Sequence, residues 1–99
     1  MTTDGLTPKE EVAAIGFNSA IRLLAIHRKC TEQEAAEHVA EKMRRSIVHI
    51  NHYRQVGLAP HAVPEMLEIM KAHRIPFSIH QLKPTKKVVE MYKWRNTKA

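Results

Sequence analysis

Helix-start signals recur along this chain and constrain its fold more than any other feature. Thr7 precedes Pro8 and two glutamates, and Thr31 is followed three residues later by Glu34. A threonine cap with a glutamate at the third helical position satisfies free backbone amides at a helix start, and proline is favoured at the first helical position. These signals predict one helix from Pro8 to about Arg28 and a second that begins after Thr31.

A third helix is predicted between Ser46 and Gly57. Ser46 is a suitable N-cap, and Gly57 accepts the left-handed backbone geometry of a helix end. No breaker separates Met43 from Ser46, however, so a single helix from Thr31 to Val56 remains open as an alternative.

Three shorter segments follow Gly57. Pro64 suits the first turn of a fourth helix, which Ile75-Pro76 should stop. Residues 78–82 have room for one more helical turn. Thr85 can then cap a last helix that runs from Lys86 to Trp94 or slightly beyond.

The core of such a chain must be aliphatic, because hydrophobic residues make up 43% of the 99 residues and aromatic residues only 5%. This composition suits packed helices in one domain. The apolar residues of the first helix spread over roughly two-thirds of its circumference, more than one packed face requires. They are Val12, Ile15, Phe17, Ala20, Ile21, Leu23, Leu24 and Ile26. Either this helix is central, or it also contacts a second copy of the protein.

Charge and cysteine content limit the partners and the compartment. Sixteen Lys and Arg against ten Asp and Glu give a net charge of +6, which favours a polyanionic partner, either nucleic acid or an acidic protein surface. Charge alone does not choose between the two. Cys30 is the single cysteine, so a disulfide framework is excluded and a reducing compartment is favoured. Residues 1–6 show no signal-peptide pattern and are expected to be flexible. Because no apolar run has the length of a membrane span, we expect a soluble, cytoplasmic protein with no membrane partner.

The segment from Val39 to Gly57 has the residue types of a helix-turn-helix. This motif needs a small residue where two helices cross, apolar residues between them, and polar residues facing outward. Ala40 suits the crossing, Met43 and Ile50 can fill the crevice, and Tyr53 can close its outer end. Asn51, His52 and Gln55 then point towards solvent or a ligand.

In this spacing the chain resembles the Cro and lambda-repressor-like family of small phage and prophage regulators. Ser46, Ile50, Tyr53-Arg54, Gly57 and Pro60 fall at places of the family pattern, which runs leucine-alanine, leucine, serine, valine, tryptophan-arginine, glycine and proline. Val39-Ala40 and Met43 match its first part, Met66 to Met70 its following helix, and Gln81 to Pro84 its closing element. The resemblance covers residues 31–84, followed by a basic C-terminal helix or tail at 85–99.

The resemblance implies a homodimeric transcriptional regulator that binds double-stranded DNA within a bundle of five or six helices. Four residues would then read bases: Ser46, Asn51, His52 and Gln55. Three arginines would hold phosphates: Arg44, Arg45 and Arg54. A basic C-terminal set could follow the DNA backbone: Lys83, Lys86, Lys87, Lys93, Arg95 and Lys98.

Two departures from the family pattern bear on this interpretation. Arg44 and Arg45 stand where the family has its turn glycine and the apolar residue after it, which should weaken the sharp turn. Ile47 and Val48 occupy places that are usually polar and face DNA. They could contact thymine methyl groups, or they could form a surface that binds protein.

The alternative function is therefore a small helical interaction module, such as a phage-type inhibitor or adaptor, that docks on a host protein and does not bind DNA. An enzyme is not expected, since the chain has no nucleophile elbow and no phosphate-binding glycine loop. Seven histidines raise the question of a metal. His49 and His52 could supply two ligands but lack an obvious third, so neither a metal site nor a cofactor is predicted.

Overall fold

Six α-helices follow each other in the computed structural model, which describes residues 7–77, 79–82 and 85–97. They are α1 (Pro8–Arg28), α2 (Glu32–Met43), α3 (Ile47–Val56), α4 (Val63–Ala72), α5 (Ile79–Leu82) and α6 (Lys86–Thr97), with a 3₁₀ turn (Pro60–Ala62) before α4. These ranges contain no strand, so the predicted all-α bundle is confirmed. None of the helices described is long and apolar enough to cross a membrane. The expectations for residues 1–6, Ser78, Lys83, Pro84 and Lys98 lie outside the described residues.

The capping box predicted at Thr31 is present, and the predicted N-cap Thr7 also forms one. The Glu10 amide donates to the Thr7 hydroxyl at 3.2 Å, and the Thr7 amide donates to the Glu10 carboxylate at 2.9 Å. Thr31 and Glu34 exchange the same two bonds at 3.0 and 2.9 Å. The hydrogen bond from the Thr31 amide stabilises the carboxylate form of Glu34 and is the main reason that the pKa of Glu34 is lowered. Signals confined to four consecutive residues therefore placed α1 and α2 correctly.

Three helices end on a basic residue in the left-handed backbone conformation. Lys29, Arg44 and Arg74 have φ values of 57°, 56° and 58°. After each of them the next amide donates to a carbonyl five residues back, as Arg45 does to Ala40 at 2.9 Å. This is the Schellman termination, in which glycine is the usual residue. It ends α4 at Ala72, earlier than the Ile75-Pro76 stop that we predicted.

Helix α1 is the central element of the bundle and packs against α2, α3, α5 and α6. Its side chains Phe17, Ile21 and Leu24 are completely buried. The sequence left open whether the broad apolar surface of α1 reflects a central position or a second copy of the protein, and the central position is now established. Three apolar side chains of α1 nevertheless remain exposed, namely Ile15, Leu23 and Ile26.

Gly57 ends α3 as predicted, but its geometry differs from the left-handed cap that we expected. Its φ of 94° and ψ of 165° lie in a region that is accessible essentially only to glycine. A β-carbon at this position would lie 2.3 Å from the Ala13 β-carbon and 3.0 Å from the Ala13 carbonyl carbon. Gly57 is therefore required both by the backbone and by the close approach of α1.

Candidate nucleic-acid interface

A bend separates α2 from α3. Helix α2 ends at Met43, Arg44 adopts the left-handed conformation, and Ser46 has the extended backbone of an N-cap (φ −72°, ψ 155°). The alternative of one helix from Thr31 to Val56 was therefore wrong. Arg44 stands where the family pattern has glycine and takes the conformation that glycine adopts easily. The expected weakening of the turn does not prevent it from forming.

The crevice between α2 and α3 contains the apolar residues that the motif requires. Ala40 and Met43 of α2 are 6% and 8% exposed, whereas Ile50 and Tyr53 of α3 are 0% and 3% exposed. The Tyr53 ring also meets the Phe17 ring edge-on, with centroids 6.2 Å apart. These contacts attach one side of α3 to both α1 and α2, and they turn its opposite side outward.

The opposite side of α3 presents four side chains on one face. Val48, Asn51, His52 and Gln55 fall within about 100° of each other around the helix axis. Val48, His52 and Gln55 are exposed and Asn51 is half-buried. We call this set the outer face of α3. It combines an amide pair and an imidazole with one apolar side chain, a composition that can bind the donors, acceptors and methyl groups of base edges.

Arg44 and Ser46 lie just before this face, and both are exposed. The Ser46 hydroxyl accepts a hydrogen bond from the His49 amide at 3.2 Å, so its established role is to cap α3. The hydroxyl can still donate its own proton outward. Arg44 places a positive charge at the turn, beside the N-terminus of α3.

Arg45 is engaged within the protein. Its guanidinium forms a two-point ion pair with Glu65 of α4, with one of the two contacts at 3.2 Å, and its side chain is only 17% exposed. The hydrogen bond to Arg45 is the main reason that the pKa of Glu65 is lowered. Arg45 therefore attaches the turn to α4, and this geometry favours a structural role over the phosphate contact that we predicted.

Arg54 is engaged in the same way on the other side of α3. Its Nε donates to the side-chain Oδ1 of Asn18 at 2.7 Å, and the side-chain Nδ2 of Asn18 donates back to the Arg54 main-chain carbonyl at 2.8 Å. Its terminal nitrogen donates to Glu32 at 2.9 Å. Arg54 thus connects α3 to α1 and to the start of α2. Of the three arginines predicted to hold phosphate, the described geometry leaves only Arg44 on the outside.

The two apolar departures from the family pattern separate in the structure. Ile47 is half-buried and packs against the core, whereas Val48 is 73% exposed on the outer face of α3. Only Val48 therefore bears on what this face binds. A helical wheel of residues 47–56 anchored on Ile50 and Tyr53 would have found this difference.

The C-terminal basic segment is only partly described. Lys86 and Lys87 are exposed at the start of α6. Lys93 and Arg95 belong to α6, but their side chains lie outside the described part, as do Lys83 and Lys98 entirely.

No protein-family model matches the chain, and searches of curated proteins and of solved structures gave no match. The resemblance to the Cro and lambda-repressor-like family therefore remains a prediction. We therefore infer function from the geometry of α2, α3 and their surroundings.

Proposed function

We propose that this protein binds double-stranded DNA and regulates transcription, with α3 lying in the major groove. The observation that carries the proposal is the orientation of α3, whose apolar side is held by α1 and α2 while its outer face carries Asn51, His52 and Gln55. A major groove about 12 Å wide admits an α-helix, and base edges there offer a distinct pattern of donors and acceptors. The net charge of +6 favours such a polyanionic partner.

In this proposal the side chains of the outer face, His52 included, contact base edges. The amides of Asn51 and Gln55 can pair with adenine through two hydrogen bonds, and Val48 can contact a thymine methyl group. Arg44 contacts phosphates at the start of the helix, and the Ser46 hydroxyl can donate its proton to a base edge. Arg45 and Arg54 hold α3 in position through Glu65, Asn18 and Glu32, and they act on DNA only through that positioning.

A homodimer is part of the proposal. Ile15, Leu23 and Ile26 are 53%, 40% and 68% exposed and lie within about 80° of each other on α1. Such a row is costly to leave in water and suits contact with the same helix of a second copy. Two copies would read half-sites about one helical turn of DNA apart. Sedimentation of the purified chain tests this element separately.

The test is selection from a random duplex library, followed by titration of the selected duplex and an unrelated duplex at two salt concentrations. We expect Asn51→Ala and Gln55→Ala to lower the preference for the selected duplex by ~1–3 kcal/mol each. Arg44→Gly keeps the backbone conformation and removes the charge. It should weaken binding to both duplexes alike. The slope of the logarithm of the binding constant against the logarithm of the salt concentration should fall in magnitude by about one, the value for one phosphate contact.

Two exposed residues on other helices serve as matched controls: Gln33→Ala on α2 for the amides and Lys71→Ala on α4 for the charge. Neither should change binding to either duplex. If the Asn51→Ala and Gln55→Ala variants, like Arg44→Gly, lose the same affinity for both duplexes, these side chains do not read bases. Absence of salt-sensitive duplex binding by the native chain would remove DNA binding altogether.

A helical interaction module is the second candidate, and the exposure of Val48 favours it. Val48 would then lie in the apolar centre of an interface, and Asn51, His52 and Gln55 would form its polar rim. This candidate predicts no duplex binding at low salt. It also predicts a protein complex that Val48→Asp disrupts and Gln55→Ala leaves intact.

A further inference from the structure

Three histidines from three helices meet on the side of the bundle formed by the end of α1, by α2 and by the end of α4. The Nε2 atoms of His38 in α2 and His73 at the end of α4 are 3.1 Å apart. The His27 ring in the last turn of α1 has its centroid 5.6 Å from that of His73. His38 and His73 are 35 positions apart in the chain, so their spacing in the sequence does not indicate the cluster.

The surroundings favour the neutral form of this histidine pair. Burial lowers the pKa of His38 and His73, and the positive charges of Arg28 and Lys42 lower both further. Glu41 acts in the opposite direction on His38, but its effect is smaller than the others. Two neutral imidazoles that both carry their proton on Nδ1 each present an Nε2 lone pair to a metal, whereas an imidazolium has none.

The pair also borders an open cleft of about 380 Å³ between α2 and α4. Glu65 and Glu68 of α4 contribute carboxylates to the cleft wall, and Lys42 contributes an amine. Glu65 is bound by Arg45, whereas Glu68 is exposed. The cleft gives a small ion access to the histidine nitrogens and leaves room for water around it.

We infer that His38 and His73 form a binding site for one divalent transition-metal ion of the zinc, nickel or copper type. Imidazole nitrogen is a preferred ligand of these ions, with zinc–nitrogen distances of about 2.0–2.1 Å. For an ion at that distance from both Nε2 atoms, which are 3.1 Å apart, the nitrogen–metal–nitrogen angle is about 98°. This angle lies between the 90° of square or octahedral sites and the 109° of tetrahedral ones.

The site has two protein ligands, and water completes it. Within the part of the chain that the structure describes, no group of three or more His, Cys, Asp or Glu residues is arranged to hold a metal. The ion is therefore exchangeable rather than permanently built in. The ion also connects α2 to the end of α4. Only the folded chain brings these two elements together, so binding of the ion stabilises the fold.

The test is thermal unfolding of the native chain followed by circular dichroism, with a chelator or with increasing Zn²⁺. At a metal concentration one hundred times the dissociation constant, we expect the Tm to rise by on the order of 10 °C. His38→Gln and His73→Gln keep a neutral polar side chain and should each weaken zinc binding by roughly tenfold or more. The control His52→Gln disrupts the rival pair of His49 and His52, and it should leave the response unchanged.

A second measurement applies to the native chain and does not depend on a variant folding. On addition of Zn²⁺, the ring-nitrogen NMR signals of His38 and His73 should shift together, while those of His52 stay in place. An ordinary hydrogen bond between two imidazoles predicts no response to the metal. An unchanged Tm together with unshifted signals would overturn the inference, and so would loss of the response in His52→Gln alone. Neither measurement involves DNA, so the outcome is independent of the proposed function.

Discussion

Gly57→Ala is a substitution for which the structure predicts a large loss of stability. Alanine at φ 94° and ψ 165° would be strained by ~1–3 kcal/mol, because this region of backbone space excludes residues with a β-carbon. The added β-carbon would also meet the Ala13 β-carbon at 2.3 Å. Overpacking of this kind costs a further ~1–3 kcal/mol.

The expected total is a loss of ~2–6 kcal/mol from the free energy of unfolding. A domain of this size has about 5–15 kcal/mol to lose. Guanidinium unfolding followed by the helical circular dichroism signal measures the difference. The midpoint should fall while the slope of the transition stays constant, since the surface exposed on unfolding is nearly unchanged.

The double variant Ala13→Gly with Gly57→Ala separates the two contributions. Ala13→Gly alone should cost about 1 kcal/mol as a glycine inside a helix. In combination it removes the contact between β-carbons but leaves the backbone strain and the 3.0 Å approach to the Ala13 carbonyl carbon. We expect an interaction free energy of ~1–3 kcal/mol in favour of the double variant. A Gly57→Ala protein within about 0.5 kcal/mol of the native chain would refute the predicted proximity of α1 and the end of α3.

Three further predictions concern stability. Tyr53→Phe should be neutral or stabilising by about 1 kcal/mol in the same unfolding assay, because the buried Tyr53 hydroxyl has no hydrogen-bond partner among the described residues; a loss above that value would reveal a partner. Lys29→Gly and Arg74→Gly should each stabilise by up to about 1 kcal/mol by relieving a left-handed backbone, and a clear loss would contradict this termination geometry. Because burial lowers the pKa of His38 and His73, the unfolded chain binds more protons than the folded one below about pH 6.5, and stability should fall as the pH is lowered through the folded values. His38→Gln should flatten the dependence of Tm on pH in this range, and an unchanged slope would assign it to other groups.

The starts of the helices were predictable from the sequence because their signals are local. The Thr7, Thr31 and Ser46 hydroxyls each accept a hydrogen bond from an amide three residues ahead, so only the neighbouring chain has to be known. The apolar side of α3 was equally accessible, since Ile50 and Tyr53 are one turn apart. The ends of the helices were harder to predict, because Arg44 and Arg74 take the left-handed conformation in which glycine is the usual residue.

The candidate site could be predicted from the sequence only in part, for a different reason. Asn51, His52 and Gln55 were assigned to the outside of α3, where the structure shows His52 and Gln55 exposed and Asn51 half-buried, because exposure follows from helical periodicity. Helical periodicity does not tell whether the Arg45 and Arg54 side chains are paired within the protein or free to bind a ligand. Both are polar residues near a turn, and each was expected to face a ligand.

The sequence by itself determined the all-α class, the positions of the helix starts and the face of α3 that turns outward, since residues within one or two helical turns carry all of that information. The tertiary structure alone decided which long side chains are already engaged. Asn18 and Arg54 are 36 positions apart, and His38 and His73 are 35 apart. Each pair is brought together by the crossing of helices, whose angle and register depend on how the whole core packs.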